Sequence, residues 1–130
     1  MTGATHMIAA ASIYSLTSSN KPIALAAALA SHFILDSIPH HEPSTRKNYV
    51  LGFITLIGLS AIALIRKDPF FLFAVFLGAF PDLNWILKLN RQVDRFHRFV
   101  HFKHKKPVSK YISILEMILV SLFSLAIVFL

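Results

Sequence analysis

The 130-residue sequence predicts an all-α integral membrane bundle of about five transmembrane helices, and three observations carry that reading. Hydrophobic residues make up 55% of the chain and charged ones only 15%, too little polar surface to coat a soluble domain of this size. The apolar residues fall into five runs, Thr2–Thr17, Pro22–Ile38, Asn48–Ile65, Pro69–Leu89 and Ser109–Leu130, separated by short polar stretches. Runs of this length are too long for barrel strands, and lipid leaves no backbone group unpaired, so each run is expected to be a helix. One domain over residues 1–130 is all the length allows.

Each run carries its own signals. Pro22 and Pro69 suit the first turn of a helix. At 1.5 Å per residue the first two runs reach only about 24–26 Å, short of the roughly 30 Å hydrocarbon core. The second is rich in small residues (Ala24, Ala26, Ala27, Ala28, Ala30, Ser31), which predicts close helix packing and a central place in the bundle. The third and fifth, built of Leu, Ile, Val and Phe, are expected to face lipid. Pro81 should free the carbonyl of Leu77 and kink the fourth. No Lys or Arg precedes the first run, so a cleaved signal peptide is not expected.

Charge sets the orientation. With five spans, one face collects Arg46, Lys47, Lys88, Arg91, Arg95, Arg98, Lys103, Lys105, Lys106 and Lys110, and the other Lys21, Arg66 and Lys67. The positive-inside rule then places the N-terminus and the first face in the cytoplasm and the C-terminus outside. A net charge of +7 is what such loops carry anyway, so nucleic acid is not an expected partner. The chain has no cysteine, which excludes disulfides and thiolate metal sites and leaves His, Asp and Glu as the available ligands.

All seven histidines, His6, His32, His40, His41, His97, His101 and His104, fall toward that same face, as do Asp36, Asp82, Asp94 and Glu116. His32 and Asp36 are spaced i, i+4, so they project from one helix face and can share one ion. Pro39 ends that helix, and His40 and His41 follow it. Asp82 sits just after Pro81 inside an apolar run, where a carboxylate needs a partner, a proton or a cation. Asp94, His97, His101 and His104 form one helical stripe of the basic segment between the fourth and fifth runs. Arg91, Arg95 and Arg98 form a second, suited to phosphate groups, with Phe96, Phe99 and Phe102 as apolar anchors. His6 can close the cluster from the first helix. Glu116, some 10 Å down the last helix, is expected to support the site or neutralise a cation.

These pieces, Thr5-His6, HFILDSIPHH, GAFPDLN and HRFVH, resemble a family of small inner-membrane proteins identified as metal-dependent hydrolases, one of them LexA-regulated. The resemblance runs from His6 to about His104. It implies a metal site of His6, His32, Asp36, Asp82 and His101, joined by His40 and His97. A looser similarity to zinc-dependent phospholipase C-like proteins implies phosphoester chemistry. The chain departs from the family at Asn84, where a second aspartate often stands, and at Val100, where a Thr is usual.

Together these readings predict a divalent ion, zinc by ligand type, activating water against an ester or phosphoester in a membrane-associated substrate. Asp36 or Asp82 would act as general base, and Arg98 with Arg95 would hold the anionic group. Two other classes fit the residues: a cation transporter, and a non-catalytic anchor or regulatory subunit whose His-Asp cluster serves stability. Either reading accommodates an oligomer.

Overall fold

The structure, a computed structural model, describes residues 2–40, 44–101 and 109–129. Six helices account for them: α1 Gly3–Thr17, α2 Lys21–Asp36, α3 Thr45–Arg66, α4 Pro69–Leu87, α5 Arg91–His101 and α6 Lys110–Phe129. No strand occurs among the described residues. The all-α expectation holds, with the basic segment before the last run forming the separate helix α5. Three helices, α3, α4 and α6, are long and apolar enough to cross a membrane.

Local chemistry starts and stops these helices. Thr2 caps α1, its Oγ1 accepting from the Thr5 N–H at 3.1 Å. Asn20 caps α2 by accepting from Ile23 N–H at 3.3 Å, and Pro22 follows in the first turn. Asp68 caps α4, its Oδ1 accepting from the N–H groups of Phe70 and Phe71 at 3.0 and 3.4 Å. Such caps satisfy donors that have no partner within the helix. Lys67 and Lys88 end α3 and α4 in the left-handed conformation, with φ of 51° and 53°. Helix α4 runs through Pro81 and continues to Leu87.

The central helix is α1, which packs on α2, α3, α4 and α6. The expectation that the Ala-rich second run sits centrally is therefore corrected. Only one stripe of α2, Ala24, Ala28, Ser31, His32 and Asp36, is buried, whereas α1 is buried without interruption from Ala4 to Ser12. Small residues mark close contact but not how many neighbours a helix has, and here two small-residue helices pack on each other. The large apolar side chains of α3 and α6 are exposed, among them Phe53, Ile57, Ile65, Leu119 and Phe123, as lipid-facing helices require.

Side-chain bonds fix the directions of the helices. Gly3 N–H donates to Asn48 Oδ1 at 2.9 Å, joining the starts of α1 and α3. At their other ends Arg66 donates to Ser15 Oγ at 3.0 Å and to the Val128 carbonyl of α6. Ser12 donates to the Ser124 carbonyl at 2.7 Å, so α6 also runs parallel to α1. Helices α2 and α4 run the other way, bringing Asp36 and Asp82 beside the start of α1.

The end away from that carboxylate pair is tied by Tyr14, whose hydroxyl donates to Asp68 Oδ2 at 2.8 Å. Because Asp68 also caps α4, Asp68→Ala should cost about 2–3 kcal/mol and Tyr14→Phe about 1–2 kcal/mol. Thermal unfolding in detergent checks the difference, and equal losses would leave the cap with no measurable share.

Candidate metal centre

Four helices deliver one cluster. The first turns of α1 supply His6, the last turns of α2 supply His32 and Asp36, α4 supplies Asp82, and α5 lays His97 across them. Asp36 is the hub. Its Oδ1 lies 3.0 Å from His6 Nε2, and its Oδ2 lies 2.9 Å from His32 Nε2 and 3.0 Å from His97 Nε2. Asp82 Oδ1 is 3.4 Å from His97 Nε2 and 3.8 Å from His32 Nε2. The His6 and His32 rings stack at 4.0 Å between centroids. One donor atom from each of His32, Asp36, Asp82 and His97 falls within 4.8 Å of every other, a grouping able to hold a metal ion.

The cluster is sealed on most sides. His6, His32, Asp36 and His97 are buried, and the Asp82 side chain, 26% exposed, forms the opening. That opening adjoins Gly3 and Asn48, since a Cβ built on Gly3 would meet Asp82 Oδ2 at 4.0 Å and Asn48 Oδ1 at 3.8 Å. On the side facing the far end of the bundle lie Ala10, Ala11, Ala28, Ala74 and Val75, all fully buried and apolar.

The hydrogen bonds of the histidines test whether the residues suit a cation. His32 Nδ1–H donates to the Gly78 carbonyl at 2.7 Å, which leaves Nε2 to face the cluster. Despite its 2.9 Å approach to Asp36, His32 Nε2 makes no hydrogen bond among the described residues, and neither ring nitrogen of His6 makes one there. Buried polar atoms are nearly always satisfied, and nitrogens that approach carboxylates without aligning to them suit a shared central cation. Imidazole nitrogen with carboxylate oxygen is a donor set that zinc and similar divalent ions accept. The residues therefore fit a metal ion.

His97, on α5, is held differently. Burial works against its charged form, but its hydrogen bonds to Asp36 and Asp82 outweigh that and push its pKa up to about 9.

Gly78 is the member that the sequence did not single out. A Cβ there would lie 2.5 Å from Ala10 Cβ and 2.7 Å from the His6 carbonyl oxygen, so only glycine allows α4 to approach α1 this closely. The same residue supplies the carbonyl that orients His32. A lone glycine inside an apolar helical run was the available signal.

Asn84 is fully buried and turned away from the cluster. Its Nδ2 donates to the Asn90 carbonyl at 3.0 Å and its Oδ1 accepts from Asn90 N–H at 2.9 Å. Asn90 in turn caps α5 through Gln92 and Val93 N–H. The residue that departs from the resembled family thus shapes the turn that aims His97.

The other expected site residues lie elsewhere. His40 sits past the end of α2, its Nδ1–H donating to the Ile38 carbonyl at 2.7 Å. Arg98 is paired with Asp94 at 2.8 Å, its side chain 55% exposed, on a different face of α5 from His97. The Glu116 Oε2 is buried on α6 without a hydrogen bond among the described residues. The expectations for His41, His104 and the side chain of His101 lie outside the described residues.

Fold and site thus define an α-helical protein with membrane-span candidates and a buried His/Asp group able to hold a metal ion. Its sequence and structure match no protein family, curated protein or solved structure.

Proposed function

We propose that this protein is a membrane-embedded, metal-dependent hydrolase of esters or phosphoesters, as the resemblance of its motifs implies. The observation that carries the reading is the buried Nε2 of His32, oriented by Gly78 and directed at two carboxylates without a hydrogen bond to either. In this reading α1 and α2 also cross the membrane, giving five spans, and the lysine- and arginine-rich cluster end faces the cytoplasm of the inner membrane.

His32, His97, Asp36 and Asp82 would hold the ion, His97 giving up its Nε2 proton to solvent as the ion enters, with His6 on the second oxygen of Asp36. Zinc, or an ion like it, would supply the acidification of an attacking water toward neutral pH. Asp82, which turns Oδ1 toward His32 and His97 and Oδ2 toward Gly3 at the opening, would take the proton from the attacking water on Oδ2 and later return it to the leaving oxygen. An anionic group approaching this end meets the stripe of Arg91, Arg95 and Arg98. The apolar side chains behind the cluster exclude water and favour hydrolysis over transport, because an ion leaving toward the other face would have to cross Ala10, Ala28 and Val75.

Detergent-purified protein is expected to carry a stoichiometric divalent ion that His32→Ala and Asp82→Ala lose, measured by elemental analysis. Ester or phosphoester turnover by the wild type should cease with a chelator and return with added zinc. Metal content equal in all three proteins would remove the proposal.

A further inference from the structure

On the outer side of the α2–α4 seam, beneath α5, lies a groove of about 310 Å³. Its walls are Leu29 and Phe33 from α2, Phe80 and Pro81 from α4, and Val93 and Phe96 from α5. The volume falls at the lower end of small-ligand sites, and the only polar residue on the described walls is Gln92. A groove this apolar gives a polar substrate nothing to bind. On the outside of a membrane bundle, the apolar matter that meets it is the hydrocarbon of the bilayer.

Two features separate this groove from an ordinary lipid-facing surface. First, three of its wall residues are the chain neighbours of three cluster residues: Phe33 of His32, Pro81 of Asp82, and Phe96 of His97. Phe33 touches both sides, edge-on to the His32 ring at 5.4 Å and to the Phe96 ring at 4.9 Å. Second, α5 has three faces. His97 points into the cluster, Val93 and Phe96 into the groove, and the exposed Arg91, Arg95 and Arg98 recur at i, i+4 and i+7 along the outside, with exposed Phe99 between groove and arginines. A helix with aromatic residues beside an arginine row is matched to acyl chain below and phosphate above.

We infer that this groove seats one acyl chain of an anionic phospholipid, whose phosphate rests on the Arg91 and Arg95 side of α5. The bound chain completes the packing between α5 and the α2–α4 pair, and so helps to hold His97 over Asp36 and Asp82. The inference needs the membrane setting but not the hydrolase reading: it concerns a lipid held beside the cluster, whatever the cluster does.

The test uses the full chain in nanodiscs of phosphatidylcholine and phosphatidylglycerol, with a trace of phosphatidylglycerol carrying a photoreactive diazirine in its acyl chain. Adducts mapped after illumination are expected to concentrate on Phe33, Phe80, Val93 and Phe96 rather than spread over the exposed faces of α3 and α6. Lipid chain and groove are equally apolar, so the groove holds the chain by packing; Val93→Trp, which fills the groove, should cut those adducts to the level seen on the exposed faces of α3 and α6. Leu29→Trp, from the opposite wall, gives an independent reading if Val93→Trp does not fold. Arg91→Gln with Arg95→Gln should remove the preference for phosphatidylglycerol over an equally labelled phosphatidylcholine probe. Even labelling across all lipid-facing helices, or groove labelling unchanged in both tryptophan variants, would overturn the inference. Metal content read on the same samples separates this outcome from failure of the metal site.

Discussion

Asp36→Ala is expected to abolish metal binding and to destabilise the protein by about 3–5 kcal/mol, the largest effect of any single substitution in the bundle. Asp36 lies within 3.0 Å of three histidine nitrogens contributed by α1, α2 and α5. Removing it takes away a shared contact of three helices and leaves the buried imidazoles of His6, His32 and His97 without the carboxylate they converge on. Loss of a supporting contact around a ligand costs about 10–100-fold in metal affinity, so loss of the hub should exceed about 100-fold. Asp36→Asn separates the two effects. It keeps the shape and two hydrogen-bonding atoms, so it should recover much of the stability while still failing to retain metal. Elemental analysis with thermal unfolding in detergent reads both quantities. Wild-type metal content in both variants would show that Asp36 is a structural residue only.

Gly78→Ala is the second large effect, and it touches no ligand. The added methyl would lie 2.5 Å from Ala10 Cβ and 2.7 Å from a backbone oxygen of His6. Neither neighbour can swing aside as a flexible side chain would, so α4 must move off α1. Overpacking of this kind costs about 1–3 kcal/mol. The movement also carries away the carbonyl that fixes the His32 tautomer, so metal affinity should fall about 10–100-fold although every ligand is still present. Gly58→Ala is the control: nothing lies within 4 Å of a Cβ there, so metal content should not change and stability should rise by about 0.5–1 kcal/mol as in any open helix interior. Equal behaviour of the two alanine variants would mean that α1 and α4 adjust freely and that Gly78 does not set the site.

How far the site was legible depended on the kind of signal each residue gave. His32 and Asp36 could be paired because a helix places positions i and i+4 on one face, and that geometry needs no partner helix to be known. Asp82 stood out because a carboxylate in an apolar run demands a counterpart. His97 was distinguishable as part of a stripe in which the resemblance put His101 ahead of it, and its place at the cluster could not be read, because the rotation of α5 about its axis is set by the Asn84–Asn90 turn and by Phe33 against Phe96. His40 and Arg98 have the right chemistry in the right region. Their directions were decided by local bonds, to the Ile38 carbonyl and to Asp94, that composition does not reveal.

The sequence by itself determined that the chain is helical, how many apolar segments it has, which segments carry the basic residues, and that His6, His32, His97, Asp36 and Asp82 gather toward one end. These follow from periodicity, hydropathy and the cost of charge in an apolar setting, all of which act within one segment. Only the tertiary structure decided that α1 rather than α2 is central, that Asp36 is the hub, and that Gly78 and Asn84 build the site without joining it. Those outcomes depend on how closely and at what rotation two helices meet, and this is fixed by steric fit between segments remote in sequence.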